Sequence, residues 1–133
     1  MLFRSAKIGI IHIPSFYRDF QGADANDKDF ASTSRDVARE LARFKSAGGV
    51  DAIIVDLRFD GGGALTEAID VSGLFLNAGP VVQVKTHPGK PKVLSYDDHN
   101  GDVKTPVVVV VNRLSASASE IFAGAVQIGR AHV

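Results

Sequence analysis

The chain has 133 residues, 45 % of them apolar and 23 % charged, which makes one domain or a part of one with enough apolar side chains for a core. Fifteen basic residues balance fifteen acidic ones, so no charge excess marks nucleic acid or an anionic membrane as a partner. The absence of cysteine excludes disulfides, thiolate metal sites and a cysteine nucleophile. No run is long and apolar enough for a transmembrane span, and Met1-Leu2-Phe3-Arg4 is not followed by the apolar stretch of a signal peptide.

Residues 7–14 alternate around Ile8, Ile10 and Ile11 and predict a strand stopped by Pro14. Residues 15–32, rich in Gly, Asp and Asn, predict a long loop or lid edge. Within it, Asp24-Ala25-Asn26-Asp27-Lys28-Asp29 lacks the Gly and the closing Glu of a calcium loop and reads as solvated. Phe16, Tyr17 and Phe20 could line a cleft, although aromatics beside a proline-ended strand more often join the core. Thr33-x-x-Asp36 resembles a capping box and opens a helix with Val37, Leu41 and Phe44 on one face, ended by Gly48-Gly49. The apolar run 50–57 predicts a buried parallel strand, and Gly61-Gly62-Gly63 turns it into a second helix over about 64–76 carrying Leu65, Ile69 and Leu76. Gly79-Pro80 breaks that helix and 81–84 predicts another strand. Residues 87–104, including Asp97-Asp98-His99-Asn100-Gly101-Asp102, read as a surface excursion, and 105–111 as the most buried strand of all. Helices alternating with apolar strands predict an α/β fold.

Two strand-to-helix junctions carry the chemistry. Ser115-Ala116-Ser117-Ala118-Ser119-Glu120 follows the strand at 107–111 and opens an apolar helix. A serine there exposes its hydroxyl beside unpaired helix N–H groups that can stabilise an oxyanion, while the plainer reading makes Ser117 or Ser119 an N-cap. Asp60-Gly61-Gly62-Gly63 sits at a like junction, so both fall at the carboxyl ends of strands, where ligands of open α/β sheets collect. The glycines match neither phosphate-loop spacing, but they can present backbone N–H groups to an oxyanion or simply make a tight turn. Asp56 and Asp60 are candidate carboxylates that more often serve as caps or loop anchors, and Arg58 is a candidate partner for either or for a substrate carboxylate, with a structural surface pair the plainer reading.

Ile13-Pro14-Ser15-Phe16-Tyr17, Asp56-Leu57-Arg58-x-x-Gly61-Gly62-Gly63 and Ser115-Ala116-Ser117-Ala118-Ser119-Glu120-Ile121 together resemble the tail-specific, or C-terminal processing, serine peptidases, in matching order from about Lys7 to Gln127. The resemblance implies a crotonase-like or ClpP-like peptidase core of α/β type. It makes Ser117 the nucleophile, and gives the oxyanion to the backbone N–H of Ala118 and of Gly63, or otherwise Gly62. It implies no metal and no cofactor. Substrates would be proteins or peptides with apolar C-termini, in the periplasm or another compartment outside the cytoplasm. The family's PDZ domain is not among the 133 residues, and nothing in the sequence fixes an oligomeric state.

In the same family a neutral lysine, in a Gly-Lys-Gly segment downstream, takes the serine proton. Lys7, Lys28, Lys45, Lys85, Lys90, Lys92 and Lys104 all precede Ser117, and Ile128 stands where the family has an aspartate. The expectation is therefore a truncated core over 1–127, a non-native tail over 128–133 in which His132 has no role, and a polypeptide that by itself does not cleave peptides. A Ser–His–Asp triad through His12, His87 or His99 has only residue type in its favour, with no evident aspartate to orient the ring. A crotonase-like acyl-CoA enzyme would share the β/α units and the glycine-turn oxyanion hole without needing the serine run. A non-catalytic peptide-binding fragment is the third possibility.

Overall fold

The computed structural model describes residues 5–98, 101 and 104–130. Three parallel strands make the central sheet in the order β1 (Ile8–His12), β2 (Ala52–Asp56), β5 (Val107–Val110). Pairing aligns Ile11 with Val55 and Val55 with Val109, so one face collects Ile11, Ile53, Val55, Val107 and Val109. Against that face pack α2 (Thr33–Ser46), α3 (Leu65–Phe75) and α4 (Ala118–Gly129), which contribute Val37, Ala68, Val71, Phe75, Phe122 and Val126 to the core. The Phe75 and Phe122 rings meet edge to face at 5.7 Å, a geometry suited to the ring quadrupoles.

Several expectations change. The 15–32 segment holds a short helix, α1 (Phe20–Asp24), started by the Asp19 side chain, which accepts from Gly22 N–H at 3.0 Å. Phe16 belongs to the core at 1 % exposure, whereas Tyr17 and Phe20 are exposed. The α2 cap is Ser32, one residue before the expected Thr33, because its hydroxyl is the one that accepts from Arg35 N–H. On α3 the inward face is Ala68, Val71 and Phe75, and Leu65 is exposed. The excursion after β3 (Gly79–Val84) is partly a strand, β4 (Lys92–Tyr96), which pairs antiparallel with β3 in a separate ribbon. The run expected to be most buried, β5, is an edge strand with Val108 57 % exposed on the sheet face away from the helices. His99 and His132 lie outside the described residues. Ile128 and Gly129 form the last turn of α4, and the following Arg130 donates from Nη1 to the Thr105 carbonyl at 2.9 Å.

One buried cluster fastens the 15–32 crossover to the helices. The Glu67 carboxylate on α3, fully buried, accepts from Arg18 Nη1 at 2.8 Å, from Ser32 Oγ at 2.9 and 3.0 Å, and from Ser34 N–H at 2.6 Å. With this many donors the buried charge is compensated rather than orphaned.

Candidate active site

Because the three strands run parallel, the turns leaving β2 and β5 emerge at the same edge of the sheet. They are stitched together by hydrogen bonds. Ser115 Oγ donates to the Leu57 carbonyl at 2.8 Å and accepts from Asn112 N–H at 2.9 Å. The Asp60 carbonyl accepts from Ala116 N–H at 3.0 Å and from Ser119 Oγ at 3.0 Å. Asn112 Oδ1 takes the N–H of Phe59 at 3.1 Å and of Leu114 at 3.0 Å. Asn112 escaped the sequence reading, since a lone asparagine after a strand looks like any turn residue.

Ser117 occupies the N-cap of α4 with φ 55° and ψ −117°. Such a backbone costs a residue bearing a Cβ on the order of 1–3 kcal/mol. Its N–H donates to the Glu120 carboxylate at 2.8 Å, and its carbonyl accepts from Glu120 N–H at 2.9 Å and Ile121 N–H at 3.1 Å. Ser117 and Glu120 thus stand in capping-box relation, yet the bond closed with full geometry is the glutamate arm, and the exposed serine hydroxyl makes no side-chain cap bond of its own. Ser115 and Ser119 are spent on the turn, while the exposed Ser117 side chain faces the Glu120 N–H in the capping box without a full hydrogen bond. A strained strand-to-helix elbow with an exposed hydroxyl is an arrangement suited to attack on a carbonyl carbon.

The glycine turn lies directly against this elbow. A Cβ at Gly62, whose φ is +102°, would stand 2.7 Å from Ser117 Cβ, 2.9 Å from the Ala116 carbonyl oxygen and 3.0 Å from Ala118 N. A side chain at 62 would therefore crowd the Ala118 N–H, which, at the first position of α4, has no intrahelical acceptor. The N–H of Gly62 itself is engaged, donating to Asp60 Oδ1 at 2.7 Å. Gly63 forms a parallel bridge with Phe16: Phe16 N–H donates to the Gly62 carbonyl at 2.9 Å and Ala64 N–H to the Phe16 carbonyl at 2.8 Å. That pattern turns the N–H of Gly63 away from Phe16, and among the described residues it gives no hydrogen bond. Among the described residues, the N–H groups of Ala118, next to Ser117, and of Gly63, next to Gly62 in the facing turn, make no hydrogen bond.

The carboxylates divide by environment. Asp56 is gripped by Arg58 through Nε at 2.9 Å and Nη2 at 2.8 Å, and these hydrogen bonds hold its pKa at about 2. Asp60 is fully buried, and burial pushes its carboxyl above the usual range. Parallel pairing also sets His12 beside Asp56, with Nδ1 3.9 Å from Oδ2, a neighbour that sequence reading missed. That separation is too long for a hydrogen bond, and the aspartate is already committed to Arg58, so the pair does not make a triad orienter. His87 lies in the turn between β3 and β4. Among the described residues no lysine bonds to Ser117: Lys7, Lys45 and Lys104 lie at the amino edge of the sheet, and Lys85, Lys90 and Lys92 on the β3–β4 ribbon and its turn. Lys28 lies in the loop after α1. A hollow of about 600 Å³ lined by Leu41, Phe44, Val50, Ile53 and Leu74 sits at that amino edge and contains none of the site residues.

A parallel sheet whose β5 turn carries a strained serine elbow, opposed by a glycine turn at the same edge, defines the α/β class of this domain. Residues 7–133 match the family model described as peptidase family S41. The chain is 43 % identical over 120 residues, 90 % of its length, to the tail-specific protease of Haemophilus influenzae, of which it covers 15 %. It is 34 % identical over 98 residues to the chloroplastic C-terminal processing peptidase of Tetradesmus obliquus, covering 74 % of this chain and 21 % of that one. The solved photosystem II D1 C-terminal processing protease superposes with a TM-score of 0.70 at 29 % identity, over 91 % of this chain and 28 % of its own. The chain belongs to peptidase family S41. It spans about a seventh to a fifth of the length of the first two relatives.

Proposed function

We propose that this domain is part of the catalytic core of a serine endopeptidase that cuts protein substrates chosen by their C-termini, with Ser117 as nucleophile. The observation that carries the reading is the Ser117 elbow: φ 55° on a residue with a side chain, exposed and without a full hydrogen bond of its own. The hydroxyl attacks the peptide carbonyl carbon, and the oxygen that becomes negative is met by the N–H groups of Ala118 and Gly63. Gly62 contributes space rather than a hydrogen bond, since its N–H belongs to Asp60. The resemblance to tail-specific peptidases supplies a neutral lysine as the proton acceptor, and the 133 residues hold no lysine after Ser117. Asp56, held at about 2, is too weak a base for the task. Work outside the cytoplasm follows from the same resemblance. No described helix is long and apolar enough to cross a membrane.

The test is labelling by a fluorophosphonate in the longer protein that carries this domain. Covalent modification at Ser117, lost in Ser117→Ala, is expected, together with loss of turnover of an unfolded protein substrate. Modification elsewhere, or turnover that survives the substitution, overturns the assignment. The 133-residue polypeptide alone is expected to show no turnover, and hydrolysis by it that depends on Ser117 would refute the need for a downstream lysine. An acyl-CoA enzyme of crotonase type would not label at all.

A further inference from the structure

Asp60 is the knot between the two turns. Its carbonyl accepts from Ala116 N–H and Ser119 Oγ, both at 3.0 Å, and its Oδ1 accepts from Gly62 N–H at 2.7 Å. Its Oδ2 is buried and has no hydrogen-bond partner, the one such side-chain atom among the described residues. Glu67 on α3 shows what a buried carboxylate needs: it takes donors on both oxygens. The Asp60 carboxyl takes Gly62 N–H on Oδ1, with the Ser119 hydroxyl also close enough to favour the charged form, yet Oδ2 stays unpartnered, which suits a neutral acid whose O–H carries no charge to solvate. Burial acts in the same direction, outweighing the opposing pull of Gly62, Ser119 and His12. Of the ionisable groups at this edge, His12 at the end of β1 is the one whose charge would favour the carboxylate. Asp56 on the same turn is neutralised by Arg58, and Glu120 on α4 is bonded to Ser117 N–H.

We propose that Asp60 is a positioning residue of the oxyanion site, holding the Gly62–Gly63 backbone against the serine elbow as the neutral acid, with its proton on Oδ2. Three hydrogen bonds from one residue fix Gly62, Ala116 and Ser119 in a common frame, and the donors Gly63 and Ala118 are their immediate chain neighbours. Loss of the proton places an uncompensated charge under the turn, which relaxes by admitting water and separating the two donors. This rests on the reading of Ser117 as nucleophile.

The experiment compares the parent with Asp60→Asn and Asp60→Ala in the longer protein, by the rate of fluorophosphonate labelling of Ser117 from pH 5 to 9. Asp60→Asn keeps a neutral side chain that still accepts from Gly62. It should label at the parent's rate at the acid end and outpace the parent once Asp60 ionises. Asp60→Ala should label about tenfold more slowly or worse at every pH, from misplaced donors. Equal rates in Asp60→Ala and parent, or an asparagine variant as slow as the alanine one, overturn the proposal. A second readout needs no activity: the Asp60 carboxyl carbon followed by NMR against pH in the same protein. It should titrate above the ordinary aspartate value of about 4, with the Gly62 and Ala116 amide signals moving in step. Titration at the ordinary value, with those amides still, sinks the proposal even if Ser117 labels. If no probe labels Ser117 while the NMR titration behaves as expected, the nucleophile reading fails and the neutral Asp60 clasp stands.

Discussion

The two turns at the carboxyl edge solve one geometric problem in different ways. Each must reverse a parallel strand into a helix, and each uses left-handed backbone to do so. The glycine turn places Gly62 at φ 102° and Gly63 at φ 151°, where the lack of a Cβ removes the steric penalty. The serine turn places Ser117 at φ 55°, where a side chain is costly. Glycine would serve the fold as well at 117, and the proposed role of its hydroxyl gives the serine a reason to be there. Phe59, at φ 66° and 71 % exposed, is another side-chain-bearing residue at positive φ, on the rim of the first turn.

The largest expected effect is loss of the hydroxyl itself. Ser117→Ala should lower turnover by the longer protein roughly 10⁴-fold or more, read as kcat on an unfolded substrate. Ser117→Gly should be as inactive, yet about 1 kcal/mol more stable than Ser117→Ala by denaturant unfolding, because it alone relieves the backbone. If the glycine variant is the less stable of the two, the elbow is not strained and the contrast between the turns fails.

Next come the contacts that hold the turns together. Gly62→Ala must push against Ser117 Cβ at 2.7 Å on a backbone at φ +102°. It should cost about 2 kcal/mol and slow labelling of Ser117 roughly 100-fold. Gly61→Ala is the matched control, since nothing lies within 4 Å of its added Cβ. A Gly61 variant as damaged as the Gly62 variant would mean that the turn needs flexibility rather than close approach. Smaller still, Ser119→Ala removes a buried donor to the Asp60 carbonyl and should cost about 1 kcal/mol in the same unfolding assay.

The sequence carried the local signals and missed the ones made by pairing. Five consecutive apolar residues at 107–111 look like a fully buried strand, but only the face with Val107 and Val109 meets helices, and no residue pattern says which strand lies at an edge. Ser117 was legible because small residues, serine and a following glutamate cluster at a strand end. Its neighbours in space were not: Asn112 joins Phe59 to Leu114, and Asp60 joins Gly62 to Ser119, across more than fifty residues of chain. The division of labour between Gly62 and Gly63 was equally hidden, because it depends on which N–H faces Asp60 and which faces away from Phe16.

The smallest effect separates the two aspartates of the first turn. Asp56 is held at about 2 by Arg58, below the roughly 3.9 of an unfolded chain. Its folded form therefore binds fewer protons, and the stability contributed by the pair is present above about pH 4 and lost as the pH falls towards 2. Asp60 has the opposite sign: burial raises its pKa, so its contribution is complete below about pH 4 and declines as the pH rises through the folded value. Arg58→Gln should return Asp56 to titration near 4 by NMR and lower stability from about pH 4 upward, the difference from the parent vanishing as the pH falls towards 2. Asp60→Asn should instead gain stability at pH 7 relative to the parent and lose that advantage at pH 4. Should Asp60→Asn gain nothing over the parent at pH 7, Asp60 would be an ordinary ionised carboxylate, and the two turns would be joined by a charge rather than by a neutral clasp.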